Sequence, residues 1–213
     1  CESGDDHILV GTKGEGIKIL DKKRRILKDF VSMDTGLNSN EVYTIRKNKY
    51  GDFFVGTDGW GLTIIPARGN TVKYLEIPAN TINFRSVYSI LFTHNDSLLC
   101  LGAVGYGLIK IELKRENGTY KANSIHRYYA GSLNNTSIYS MVKGKDDDEI
   151  WISTRGNGLF KLNVQTEQFN KLEELNRNLS SEDILWGRKG GDDCLWIGTG
   201  YGLNRVDLSV PGY

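Results

Sequence analysis

The sequence predicts an all-β fold, a β-propeller built of four-stranded antiparallel blades. Three observations carry that reading. A short glycine phrase recurs five times: GTKGEGI (11–17), GTDGWGL (56–62), GAVGYGL (102–108), STRGNGL (153–159) and GTGYGL (198–203). Its opening positions, 11, 56, 102, 153 and 198, are spaced by 45, 46, 51 and 45 residues, the period of a repeat architecture. Helix signals are nearly absent; the best is KLEELNRNL (171–179), short and placed between units.

Each unit then resolves into strands. The phrase follows a short apolar run, ILV (8–10), FFV (53–55), LLCL (98–101), IWI (150–152) or LWI (195–197). After it come GIKILD, GLTIIP, GLIKIE, GLFKLN and GLNRVD, which alternate apolar and polar residues as a strand does. Upstream lies a further apolar segment, VYTIRKN (42–48), VYSILFT (87–93), IYSMVKG (138–144) or DILWGRK (183–189). Turn clusters such as KYGD, HNDS, KDDDE and GGDD separate it from the apolar run. A weaker fourth strand closes the unit, as in RILKDF (25–30), TVKYLEI (71–77) and QFNKL (168–172). Four strands at this period describe a propeller blade.

About five repeat units follow, 1–33, 34–80, 81–130, 131–175 and 176–213, the first and last incomplete. GDDHILVGT (4–12) parallels GDDCLWIGT (191–199), which places Cys1 at the tail of an innermost strand. The expected pattern is three strands, three full blades and three strands, within a larger propeller.

Composition narrows the function classes. The 213 residues carry 27 Lys and Arg against 26 Asp and Glu, a formal net charge of +1. Such a balance provides no field to attract nucleic acid or an anionic membrane. No apolar run is long enough to span a bilayer. Cys1, Cys100 and Cys194 make no CxxC pair, so neither a disulfide framework nor a zinc site is expected. His7, His94 and His126 occupy unrelated repeat positions, and no metal or cofactor is expected. The run Asp146–Asp147–Asp148–Glu149 lacks the alternating spacing of a calcium loop and falls on an inter-strand turn.

The phrase LWIGTGYGLNRVD (195–207), with SNEVYTI (39–45) supplying its upstream half, resembles the two-component regulator propeller repeat. The resemblance covers roughly residues 4–207. Leu9, Phe54 and Cys100 replace its tryptophan in the first three units, and Gly102-Ala103 and Ser153-Thr154 replace its Gly-Thr in two. The resemblance implies a periplasmic sensor region of a bacterial, Bacteroidetes-type hybrid two-component system, signalling through domains outside this chain. It also implies a polysaccharide-derived oligosaccharide as ligand, a neighbouring propeller and a homodimer in the full-length receptor.

Within the phrase, the glycines permit positive φ and the threonines cap the turn, both structural roles. No strand–GxGxxG–helix context supports a phosphate cradle. The residue before the last glycine varies: Glu15, Trp60, Tyr106, Asn157 and Tyr201. Two readings stand for this position. Aromatic faces there can stack on pyranose rings while amides and carboxylates bond hydroxyls, with Asp58 and Arg155 adding polar contacts; or the rings pack on the adjacent blade. The preceding loops supply Asn38, Asn40, Arg85, Asn134, Asn135 and Asn178 to the same face, where asparagine also simply suits a turn. Trp151 and Trp196 sit mid-run and read as core. An enzyme would need paired acids, and the turns offer only Glu15 and Asp58. No catalytic residue is expected. A protein–protein scaffold is the alternative to a ligand sensor.

Overall fold

The computed structural model describes residues 1, 7–21, 23, 25–30, 35–59, 61–67, 71–78, 84–128, 136–191 and 193–209. Five antiparallel sheets follow one another along the chain. Blade 1 holds β1 (His7–Gly11), β2 (Ile17–Asp21) and β3 (Ile26–Phe30). Blade 2 holds β4 (Val42–Lys47), β5 (Phe53–Thr57), β6 (Leu62–Ile65) and β7 (Lys73–Tyr74). Blade 3 holds β8 (Val87–Thr93), β9 (Leu98–Ala103), β10 (Gly107–Glu116) and β11 (Thr119–Tyr128). Blade 4 holds β12 (Ile138–Lys143), β13 (Glu149–Thr154), β14 (Gly158–Asn163) and β15 (Phe169–Lys171). A single turn of helix, α1 (Glu173–Asn178), leads to blade 5 with β16 (Ile184–Lys189), β17 (Cys194–Thr199) and β18 (Gly202–Asp207). The expected sequence of three, four, four, four and three strands is observed among the described residues. Cys1 exchanges two backbone hydrogen bonds with Leu9, at 2.8 and 2.9 Å. It thereby takes the place that Arg46 takes opposite Phe54 in blade 2.

The blades stack through apolar faces, and the alternation of each strand decides which neighbour a side chain meets. Leu9 and Ile17 of blade 1 pack against Phe53, Val55 and Ile65 of blade 2. Phe54 and Ile64, pointing the other way, pack against Leu99, Leu101, Ile109 and Ile111 of blade 3. Cys100 and Leu108 meet Ile150, Ile152, Phe160 and Leu162, while Trp151 and Leu159 meet Leu195, Ile197 and Val206. Fully burying one such side chain is worth about 1.5–3 kcal/mol. The position held by Leu9, Phe54, Cys100 and Trp151 therefore always faces the following blade. Burial also pushes the Cys100 thiol up to about 12, which keeps it unreactive.

Trp196 occupies that same position in blade 5, where no sixth sheet is present among the described residues. It lies half-buried beside an opening formed with Trp186 and Leu203. Leu203 is 65% exposed, whereas its counterparts Leu62, Leu108 and Leu159 are buried.

Two departures from the expected strands concern blades 2 and 3. The segment TVKYLEI contributes only Lys73–Tyr74 to the blade 2 sheet. Beyond it, Glu76 turns to the outer strand of blade 3, where its N–H reaches the Tyr120 carbonyl at 2.9 Å and its own carbonyl accepts from Ala122 at 2.9 Å. The β10–β11 hairpin, ten residues per arm, is long enough to offer that partner. Its Tyr120 hydroxyl donates to Asp52 at 2.6 Å and accepts from Asn48 at 2.6 Å, so a buried polar network fastens blade 3 to blade 2.

Close approach of blades explains one glycine of the phrase. A Cβ on Gly102 would lie 2.7 Å from the Ile138 carbonyl of the next inner strand, and one on Gly56 would lie 2.5 Å from that of Val87. Blade 4 carries Ser153 there, and the facing strand answers with Gly187, which leaves room for the hydroxyl. At Gly198, nothing approaches nearer than 3.9 Å. Gly102→Ala is thus expected to lose about 1–3 kcal/mol through overpacking, and Gly198→Ala to stay within about 0.5 kcal/mol of the parent. Urea unfolding of the two variants checks this, and equal losses would contradict the assigned blade contacts.

Candidate functional site

The inner strands β4, β8, β12 and β16 converge on a central cavity of about 270 Å³. Each carries a β-bulge near its start, between Val42 and Thr44, Val87 and Ser89, Ile138 and Ser140, and Ile184 and Trp186. The bulged residue, Tyr43, Tyr88, Tyr139 or Leu185, drops out of the ladder and is re-aimed. The three tyrosines are half-buried and line the cavity as a row. Tyr43 and Tyr88 meet edge to face with centroids 4.2 Å apart. Tyr88 and Tyr139 are tilted, 4.9 Å apart.

Charged groups bracket this row. At the Tyr43 end, its hydroxyl donates to Glu41 Oε2 at 3.3 Å. Asp58 stands close by, its carboxylate accepting from the Ser86 hydroxyl at 2.6 Å. At the other end, Arg155 Nη1 donates to the Tyr139 hydroxyl at 3.1 Å, with its guanidinium 5.9 Å from the ring centroid. Burial pushes the Tyr43 phenol well above its ordinary range, helped by its hydrogen bond with Tyr88 and by the nearby Asp58 and Glu41 carboxylates. The row thus brings ring faces, protonated hydroxyls and carboxylate acceptors side by side, the kinds of group that can hold a polyhydroxyl compound.

The residues singled out in the turns are dispersed. Asp58 and Arg155 flank the tyrosine row. Tyr106 is packed against the core between blades 2 and 3, under the Arg127 guanidinium, 4.8 Å from its centroid. Asn157 donates to Thr136 Oγ1 at 2.7 Å. Glu15 pairs with Lys18 at 3.2 Å on a side chain 75% exposed, and Tyr201 is 85% exposed on blade 5. Trp60 lies outside the described residues, as do Asn134 and Asn135. Sequence reasoning passed over the tyrosine row. Its signal was the aromatic residue repeated at the second position of VYTI, VYSI and IYSM.

The turns themselves are built as scaffolding. Thr12, Thr57, Thr154 and Thr199 donate their hydroxyls to the carbonyls of Gly16, Gly61, Gly158 and Gly202, at 2.6–3.3 Å. The acidic run at 146–149 is likewise committed: Asp147 pairs with Lys143, Asp148 with His94 and Glu149 with Lys161. A larger groove of about 580 Å³ runs along blades 3 and 4 past His94, Lys110 and Gln165. Its Lys110 is held by Glu167 at 2.6 Å and its His94 by Asp148 at 2.7 Å. Among the described residues no cluster of His, Cys, Asp and Glu could hold a metal ion. No helix there is long and apolar enough to cross a membrane.

No protein-family model and no curated protein matches the sequence. Solved structures do match its fold. The extracellular domain of the putative hybrid two component system BT4673 from B. thetaiotaomicron is 20% identical with a TM-score of 0.74, over 96% of this chain and 26% of that one. The corresponding domain of BT3049 from the same organism is 22% identical with a TM-score of 0.71, over 97% and 26%. The β-propeller domain of Cps50 (Swd1) from Myceliophteria thermophila is 12% identical with a TM-score of 0.68, over 100% and 65%. This chain thus spans about a quarter of the B. thetaiotaomicron domains, and at these identities the likeness is one of fold.

An alkaline titration followed by tyrosinate absorbance checks the electrostatics of the site. The Tyr43 signal, identified by its loss in Tyr43→Phe, is expected well above the ordinary phenol value near 10. Glu41→Gln combined with Asp58→Asn is expected to lower its midpoint, because both carboxylates oppose a phenolate. An unchanged midpoint would mean that the two acids do not act on Tyr43.

Proposed function

We propose that this chain is a ligand-binding propeller segment of an extracytoplasmic, periplasmic sensor region in a hybrid two-component system. Its ligand is an oligosaccharide released from a polysaccharide, and its output passes through domains elsewhere in a longer, dimeric receptor. The observation that carries the reading is the row Tyr43–Tyr88–Tyr139 in the central cavity, with carboxylates at one end and Arg155 at the other. Aromatic faces bind the C–H surface of a pyranose while the flanking polar groups take its hydroxyls. The likeness to extracellular domains of B. thetaiotaomicron two-component systems supports the cellular setting. Asp58 and Arg155, beside the row, are the turn residues from which further ligand contacts are drawn.

A protein-contact role is favoured at a different place. Trp186, Trp196 and Leu203 form the face that blades 1 to 4 each cover with their successor. On this reading it receives a further blade of the same longer propeller.

Calorimetric titration with an oligosaccharide panel separates these roles. Tyr88→Ala is expected to weaken glycan binding about tenfold or more, as truncation of a central aromatic contact does, with the fold intact by circular dichroism. Tyr201→Ala is expected to leave it unchanged. Loss in Tyr201→Ala alone would move the site to the turns, and no binding by any glycan would leave the scaffold reading.

A further inference from the structure

Arg46 is the one charged side chain lining the cavity beneath the tyrosine row among the described residues. It has no carboxylate partner there: none of the ion pairs among the described residues includes it, and its Nη1 donates only to the Ile45 carbonyl, at 3.2 Å. The side chain is accessible to water, yet it sits in a concave wall where surrounding protein displaces solvent and lowers the pKa of its guanidinium. Two less exposed cations of the chain are matched, Lys110 by Glu167 and Lys171 by Glu182. An unmatched guanidinium in a concave, partly desolvated wall focuses a positive potential on whatever enters, and its planar fork suits a carboxylate or sulfate.

We infer that the central cavity selects an anionic sugar, whose carboxylate or sulfate is bound by Arg46. The inference rests on the oligosaccharide reading and adds both charge and orientation to it. Strand β4 runs from Tyr43, beside Glu41 and Asp58, to Arg46 farther along the cavity wall. The two acids repel an anion and accept from hydroxyls, so the charged end of the ligand points to Arg46 and its neutral ring rests on the tyrosines. Leu91 and Val142 hold the equivalent positions in blades 3 and 4, and the other guanidinium at the row, Arg155, stands at the turn end with its Nη1 on the Tyr139 hydroxyl.

Arg188 supplies an internal control. It occupies the same repeat position in blade 5, but it lines the opening beside Trp186 and Trp196. The probes are di-galacturonate, its neutral methyl ester and a 6-sulfated galactose disaccharide, titrated calorimetrically into the chain at low and high salt. The acid is expected to bind about tenfold or more tightly than its ester, the range for a hydrogen bond to a charged group. High salt should shrink that ratio. Arg46→Gln, with unchanged circular dichroism, should bring acid and ester to equal affinity, and Arg188→Gln should leave the ratio as in the parent. Equal preference for the sulfate and the acid supports charge recognition; binding of the acid alone supports carboxylate recognition. If acid and ester bind the parent equally, the inference is overturned while the oligosaccharide reading stands. Survival of the preference in Arg46→Gln overturns it in the same way. If none of the three probes binds while a neutral glycan of the panel does, the inference is overturned and the oligosaccharide reading stands.

Discussion

One backbone hydrogen bond, repeated from blade to blade, sets the geometry of everything else. The N–H groups of Gly16, Gly61, Gly107 and Gly158 donate to the carbonyls of Asn40, Arg85, Thr136 and Glu182, each just ahead of the following inner strand. All four glycines have φ between 70° and 78°, a region that costs an L side chain roughly 1–2 kcal/mol. A bare backbone in that conformation turns its N–H out of its own sheet and into the next. The bond joins adjacent blades near the turn face, and the apolar faces then close behind it. Gly202, the corresponding residue of blade 5, has a φ of 155° instead.

Anchoring each inner strand at its start has a consequence for the site. The strand must leave the docking bond and enter its own ladder within three residues, and the bulges at Tyr43, Tyr88 and Tyr139 take up the misfit. Beyond each of the last two, the serine hydroxyl of Ser89 or Ser140 reaches the next inner strand at the Ile138 or Gly187 carbonyl. Each bulged side chain is therefore presented at nearly the same height in successive blades, which is why three tyrosines fall into contact. The same device that stacks the blades thus assembles the aromatic row.

The architecture was legible because its cause is periodic. The glycine phrase, the alternation of strands and even the placement of Cys1 beside Leu9 follow from positions that recur every blade. What failed to show was non-periodic: the capture of Glu76 by the long β10–β11 hairpin, and the network of Tyr120, Asp52 and Asn48. The site was half legible. Asp58 and Arg155, noted as polar residues of the same turns, do flank the row. The tyrosines were hidden by their constancy, since a residue repeated in three successive inner strands reads as part of the scaffold until a bulge is known to re-aim it. Tyr106 shows the converse, a variable aromatic turned inward against the core.

The central claim is that ligand rests on the inner-strand tyrosines rather than on the connecting turns. A crystal structure of the chain with a bound oligosaccharide tests it most directly. The account predicts a pyranose ring in van der Waals contact with Tyr88 and within hydrogen-bonding distance of Glu41 or Asp58. A sugar seated instead over Tyr201 and Asn157, or in the outer groove beside His94 and Lys110, would contradict it.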